Sequence, residues 1–368
     1  MRRKIGGRSK DVYTLHKRRT LTQEDDGGDR LLAPSPLVEY ETMNLSPDSQ
    51  VILLLCSHLG LPSEPEIKPL TLRDWNPLAR QLQASSLRPQ VLFDTSAQEM
   101  QEQLGLSAKV ADQIAWLMER RGSLAIELER LDSLGIGVLT RADEAYPQRY
   151  RQRLKDSAPT VLFYAGNREL LGQPGIAVVG SRNVDQVGQD CAAYIGNACA
   201  WSGLVLYSGG ARGVDSISMQ AALEGRGTVV GILADSLEKA IRTPENRGAL
   251  MRGDYCLVTS YSPNAGFSVG AAMGRNRLIY TLADYAVVAA AEVGKGGTWG
   301  GATQALKAGW LPVFVLDYAD MPDGNRELLK NGGIPFPYPF PGDFKNLPQW
   351  LQEQSGQTRP KPTQLGLL

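Results

Sequence analysis

The sequence predicts an α/β protein, a doubly wound parallel sheet preceded by a small all-helical domain. Three observations carry that expectation. Ile176–Val179 is a short run of branched apolar residues between Pro174-Gly175 and Gly180-Ser181-Arg182, the pattern of a strand buried on both faces. Helical spacing over 186–201, closed by Gly203, then leads into a second apolar run at Leu204–Tyr207. A strand–helix–strand unit of this length pairs its strands in parallel through a right-handed crossover. The same alternation continues to Leu316, whereas 46–150 reads as helical.

In chain order, 1–45 reads as a disordered arm. Its basic residues (Arg2, Arg3, Lys4, Arg8, Lys10, Lys17, Arg18, Arg19) are followed by acidic Glu24, Asp25, Asp26 and Asp29. In the helical domain, 46–150, Asp48 can cap a helix carrying Val51–His58. Thr71 can cap another through Leu82, with Pro77 kinking or restarting it. Ser107 precedes Val110, Ile114 and Leu117, and Leu124–Leu134 stops at Gly135 before Ile136–Leu139. Ala158–Asn167, with Pro159 near its start, reads as an edge-like strand into the sheet domain, 151–342.

Further strands are expected at Thr228–Leu233, Leu257–Ser260, Ala286–Ala291 and Pro312–Leu316, and helices at Ser216–Leu223, Pro244–Met251 and Thr303–Lys307. Gly274-Arg275-Asn276-Arg277 is expected to open a helix reaching Leu282, and Gly294–Gly301 to form a glycine loop. The last segment, 343–368, holds a short helix at Pro348–Glu353 and a mobile polar tail.

Composition narrows the function. The 368 residues have zero formal net charge, 42% apolar and 21% charged content, so nucleic acid can be drawn only by a local patch. The four cysteines have no metal or redox spacing and read as buried reduced thiols. The two histidines, His16 and His58, lie outside the glycine-loop domain, which excludes a histidine triad or zinc centre there. Apolar runs such as Val51–Cys56 are too short to span a membrane, so a cytoplasmic location is expected. No cofactor, metal centre or catalytic constellation is expected.

The informative residues sit at strand ends. Ser181 and Arg182 follow one strand, and Ser208, Gly209, Gly210, Arg212, Gly213 and Asp215 follow the next. Glycines admit an anion to the backbone N–H groups, helix N-termini add partial positive charge, and arginine supplies a planar fork for phosphate. Ligands of open parallel sheets bind at the carboxyl ends of strands, so a phosphate-facing pocket is expected.

With Arg275-Asn276-Arg277 and Lys295–Gly301 added, four segments share one description, a glycine or asparagine turn beside a cation. Taken in order, they resemble the DNA-processing protein A family (DprA, also called Smf). That family has a Gly-Ser-Arg turn, a Ser-Gly-x-Ala-x-Gly-Ile-Asp loop, an Arg-Asn-Arg segment and a Lys-Ser-Gly loop. Ala145-Tyr146-Pro147, Phe163–Asn167 and Pro244-Glu245-Asn246 resemble further family segments, and the similarity covers roughly 100–335.

The resemblance implies an extended Rossmann-like domain and a homodimer that binds single-stranded DNA without base specificity. It also implies loading of a RecA-type recombinase, in DNA recombination and natural transformation. On it, Arg182, Arg212, Arg275, Arg277 and Lys295 would neutralise successive phosphates, with Asn276 and the amides of Gly180, Ser181, Ser208, Gly209, Gly210 and Gly213 as hydrogen-bonding partners. Phe267 or Trp299 would stack a base. The sequence departs from the family pattern at Met219 (a histidine there), at Thr259-Ser260-Tyr261 (Ser-Glu-Tyr) and at Gly296 (serine). The expected C-terminal winged helix is also missing from the stretch after Pro335.

Bland readings stand beside these. Asp215 suits a helix cap that orders its loop, Arg182 could bridge to Asp185 or Asp215, and one of Arg275 and Arg277 could pair with Glu292 or Asp284. Trp299 suits the core. Rival functions are a sensor of a nucleotide-derived ligand and a LOG-type phosphoribohydrolase, although Gly301 stands where the catalytic glutamate of such enzymes falls. A P-loop ATPase lacks its Gly-Lys-Ser/Thr, and a dinucleotide oxidoreductase its three-glycine spacing.

Overall fold

The computed structural model describes residues 45–62 and 65–357. The charged arm, except Leu45, and the tail beyond 357 lie outside the described residues. The first part of the chain forms five α-helices: α1 (Pro47–Cys56), α2 (Leu72–Ala84), α3 (Ala97–Leu104), α4 (Ala108–Glu119) and α5 (Arg121–Ser133). Ser46, not Asp48, caps α1, its side chain accepting from the Ser49 amide at 3.1 Å. Asp48 stands two residues past the cap, inside the first turn; it is buried, paired with Arg88, and accepts the Gln90 amide at 2.9 Å. Thr71 does cap α2, in a capping box with Asp74. Pro77 does not restart that helix, which runs on through it; the bond it removes is to the Arg73 carbonyl in the exposed first turn, where water can serve.

A buried cation ties this module together. Arg120 is 8% exposed and donates to the carbonyls of Leu53 and Leu54 in the last turn of α1 and of Ser57 and Leu59 just beyond it. Burial pulls its pKa down to about 10.

The sheet strands are β1 (Ile136–Thr140), β2 (Val161–Gly166), β3 (Gly175–Gly180), β4 (Val205–Ser208), β5 (Val229–Ile232), β6 (Tyr255–Thr259), β7 (Tyr285–Ala290), β8 (Val313–Asp317) and β9 (Ile334–Pro337). They form one nine-stranded sheet in the order β1-β2-β6-β5-β4-β3-β7-β8-β9. Only β1–β2 and β2–β6 pair antiparallel. Between and after the strands lie α6 (Gln148–Leu154), α7 (Gln186–Ser202), α8 (Val214–Glu224), α9 (Leu237–Ala240), α10 (Pro244–Arg252), α11 (Val269–Leu282), α12 (Gly296–Ala308), α13 (Asp323–Lys330) and α14 (Leu347–Gln357).

Period-two alternation sends residues to both faces, as expected for β3. Ile176 and Val178 join α7, α8, α14 and the N-terminal helices on one side; Ala177 and Val179 join α6, α11, α12 and α13 on the other. Each large aliphatic side chain so buried contributes roughly 1.5–3 kcal/mol. The fold is therefore the extended Rossmann-like, doubly wound sheet expected of the sequence, with helices ahead of it.

Three local expectations are corrected. β2 is not an edge strand, since β1 covers its outer flank, and β1 itself comes from the stretch that read as helical. Arg275-Asn276-Arg277 does not open a helix but sits in the middle of α11, which Ser268 caps by accepting from the Ala271 amide at 3.0 Å. The Gly294–Gly301 stretch is loop only to Lys295; α12 starts at Gly296, because its glycines let it lie close against α11. Cys191, Cys199 and Cys256 are buried free thiols, while Cys56 is half-buried and also free. Among the described residues no helix is long and apolar enough to cross a membrane.

Candidate functional site

The strand order fixes where a crevice must open. From β3 the chain winds through α7 to β4 and onward to β6; it then returns through α11 to β7, on the other flank of β3. At such a reversal the loops after the two central strands part, leaving a gap at their carboxyl ends. A cavity of about 510 Å³ lies there, bordered by Ser181–Asn183 after β3, Ala291, Glu292 and Lys295 after β7, and side chains of α11 and α12.

The loop after β4 reaches this cavity at Ala211, and two of its amides are directed at an internal carboxylate. Asp215, in the first turn of α8 and 5% exposed, fills the nest that the glycines make: backbone N–H groups of Ala211, Gly209 and Gly180 face its carboxylate. Burial nevertheless pushes its pKa up, against the lowering effects of Arg275 and those amides. Asp215 is therefore not the helix cap expected of it, since Gly213 holds that position and Asp215 is the second residue of α8; its carboxylate lies against the loop instead.

Ser208 is fully buried and donates to the Val178 carbonyl at 2.7 Å, so its hydroxyl is turned inward, away from any phosphate. Gly210 is exposed but borders no part of the cavity. Gly213 has φ +90°, and a Cβ there would stand 2.5 Å from the Ser181 carbonyl oxygen, so the loop after β4 can meet the loop after β3 only at a glycine. The Ser181 amide is likewise spent, on the Ala290 carbonyl at 2.9 Å.

On α11, Arg275 and Arg277 stand two residues apart and therefore face different ways. Arg275 borders the cavity floor with 6% exposure. Its Nη1 lies 3.7 Å from the Asp215 carboxylate, a charge pairing too long for a hydrogen bond, and neither Nε nor Nη1 has a hydrogen-bond partner. Burial lowers its pKa, an effect that Asp215 and Asp235 oppose. Gly209 makes room for this side chain: a Cβ there would sit 1.0 Å from Nη1.

Arg277 leaves the site. It reaches the Ser157 carbonyl at 3.4 Å and borders no part of the cavity. Neither arginine pairs with Asp284, which is held by both oxygens to Arg149 at 2.8 and 2.9 Å. Asn276 does border the cavity and packs over Gly297, where a Cβ would meet its Nδ2 at 2.0 Å. One turn on is Tyr280, fully buried, with a hydroxyl that has no hydrogen-bond partner; sequence reasoning missed it. The spacing of Asn276 and Tyr280, i and i+4, would have found it had the limits of α11 been known.

Lys295 is the exposed N-cap residue of α12, whose first turn has no side-chain cap. Gly296, Gly297 and Thr298 open that turn onto the cavity, so its orphan N–H groups remain available. Trp299 is not at the cavity: it packs against the core beneath α12. Phe267 is 56% exposed at the rim, and the Arg182 guanidinium lies 5.7 Å from its ring centroid. Asp185 does not bridge to Arg182; it caps α7 by accepting from the Gly188 amide at 2.9 Å and takes the Tyr318 hydroxyl. Arg212 is exposed on the neighbouring hollow, bonded to the Asn183 side chain at 3.0 Å.

The arrangement suits holding an anion more than breaking a bond. Its carboxylates are Asp215, already engaged, and Glu292 at the rim. At Gly301 a Cβ would stand 2.7 Å from the Tyr280 ring, so the position has no room for a catalytic glutamate. Among the described residues no group of His, Cys, Asp or Glu could hold a metal ion.

The sequence pattern of the family described as DNA recombination-mediator protein A matches residues 137–336, more than half of the chain. The chain is 27% identical over 214 residues to the DNA processing protein DprA of Streptococcus pneumoniae, covering 57% of this chain and 72% of that one. It is 30% identical over 226 residues to a putative DNA processing protein DprA of Mycobacterium tuberculosis, covering 56% of this chain and 57% of that protein. The solved structure of the pneumococcal protein superposes with a TM-score of 0.52 at 24% identity, covering 72% of this chain and 94% of that one, a likeness of fold. The chain belongs to the DNA recombination-mediator protein A family.

Proposed function

From that membership we propose that the chain is a non-enzymatic binder of single-stranded DNA. The strand's backbone lies along the crevice between β3 and β7 without base-specific readout. The observation that carries the reading is the cation–ring pair of Arg182 and Phe267 at the cavity rim, the two groups a flexible polyanion with exposed bases requires. Lys295 and Arg212 extend the positive rim on either side, and the uncapped first turn of α12 supplies backbone donors. Arg275 is too deep to meet a continuous strand and takes a supporting place, while Ser208, Arg277 and Trp299 take none. In this reading the protein works in the cytoplasm as a homodimer that delivers the strand to a RecA-type recombinase.

Titration of labelled oligonucleotides over a range of salt tests the proposal. Single strands bind more tightly than duplexes of the same sequence. Arg182→Ala and Lys295→Ala each weaken binding to unrelated sequences alike and lower the salt slope by about one unit. Wild-type affinity and slope in the double variant would remove the crevice as the DNA site. Steady release of free base from nucleoside monophosphates would overturn the non-enzymatic reading.

A further inference from the structure

We infer that the cavity beneath the rim is a separate binding site for a nucleotide phosphomonoester, with the phosphate on its floor and the base toward Phe267. Buried donors lack partners there: Arg275, 6% exposed, with Nε and Nη1 unbonded, and Tyr280, fully buried, with an unbonded hydroxyl. Buried polar groups in folded proteins are rarely left so, and both of these residues border the one cavity, where a ligand would bring the acceptor they lack. The uncapped first turn of α12 and the Asn276 amide border the same space. A volume of about 510 Å³ matches a small ligand.

The charge balance agrees. Arg182, Arg275 and Lys295 outnumber Asp215 and Glu292 around the cavity, so an anion is favoured. Access decides the class of anion. An internal phosphodiester carries a sugar on each side and cannot descend to a floor arginine with 6% exposure without bringing both in. A phosphomonoester carries one sugar, which can trail upward to the rim. Free nucleoside monophosphates and 5′-phosphorylated strand ends share this chemistry. The inference deepens the DNA reading, since the strand would pass the mouth of the same cavity.

Calorimetric titration of the full chain with thymidine 5′-monophosphate, and with thymidine as control, tests it. The monophosphate binds at least about ten-fold more tightly than the nucleoside, as charge-assisted bonds to phosphate require. Tyr280→Phe, which keeps the ring and removes the unbonded hydroxyl, weakens the monophosphate about three- to ten-fold. Arg275→Lys weakens it further; if that variant does not fold, Tyr280→Phe decides. A 5′-phosphorylated oligothymidine that outcompetes its 5′-hydroxyl twin assigns the site to strand ends, and equal competition beside monophosphate binding assigns it to free nucleotide. Indifference to the phosphate in both assays overturns the inference. Binding of the 5′-hydroxyl strand in that case leaves the DNA reading standing, whereas its absence beside monophosphate binding removes the DNA reading alone.

Discussion

Two glycine-rich stretches of this chain look alike on paper and behave oppositely in space. Ser208–Asp215 and Lys295–Gly301 each set a cation among glycines before a helix. The first is closed from within: Asp215 sits in its amide nest, Arg275 lies over Gly209, and the Ser208 hydroxyl faces the strand behind it. The second has no internal anion, so the first turn of α12 remains open to the cavity. What separates them is one carboxylate at the right depth. Glycine content makes an anion nest possible, and whether the chain fills it itself decides whether a ligand is needed.

The sharpest test of that contrast is Asp215→Ala. It leaves Arg275 buried without its nearest counter-charge, and loss of one partner of a buried pair costs about 3–5 kcal/mol, to be read by chemical denaturation. A loss under about 1 kcal/mol would mean the first loop is not held by its own carboxylate. Gly209→Ala comes next. The added methyl must displace Arg275, and overpacking of this kind costs about 1–3 kcal/mol, measured in the same way.

Ser208→Ala removes one buried hydrogen bond at a cost of about 1 kcal/mol and, by fluorescence anisotropy, leaves DNA binding unchanged. Altered DNA affinity at unchanged fold would reopen the first loop as a ligand surface. The smallest effect has the opposite sign. In the second stretch Gly300 lies inside α12 with nothing within 4 Å of an added Cβ, so Gly300→Ala raises stability by about 0.5–1 kcal/mol. Destabilisation there would show that the open stretch is packed as tightly as the closed one.

Local patterns predicted what they physically control. The run Ile176–Val179 is a strand buried on both faces because nothing polar interrupts it, and Thr71 caps α2 because its partner Asp74 stands three residues on. What the sequence hid depends on distances along a helix whose ends it does not mark. Ser268 starts α11 seven residues before Arg275, so the Arg-Asn-Arg segment falls mid-helix, and its arginines diverge. The same blindness concealed Tyr280. The fate of the loop amides was hidden for another reason: Asp215 reads as a cap in one dimension, and only the fold brings it against amides of the loop after β4 and of the last residue of β3. The motifs shared with the family were visible at once, yet shared motifs mix residues that hold the loops with those left facing the cavity.

The β1–β2 pairing ties the early helices to the later sheet. Val138 of β1 packs in the same apolar cluster as Leu54 of α1, while the β1 backbone is zipped to β2, so the chain has no slack joint at this seam. A polypeptide beginning at 151 would keep β2 with one flank stripped of its neighbour. Such a flank templates further strands, so the shortened chain would stack on copies of itself, which light scattering on dilution would register. β1 thus gives the sheet its selvedge, and the early helices pack behind the strand that forms it.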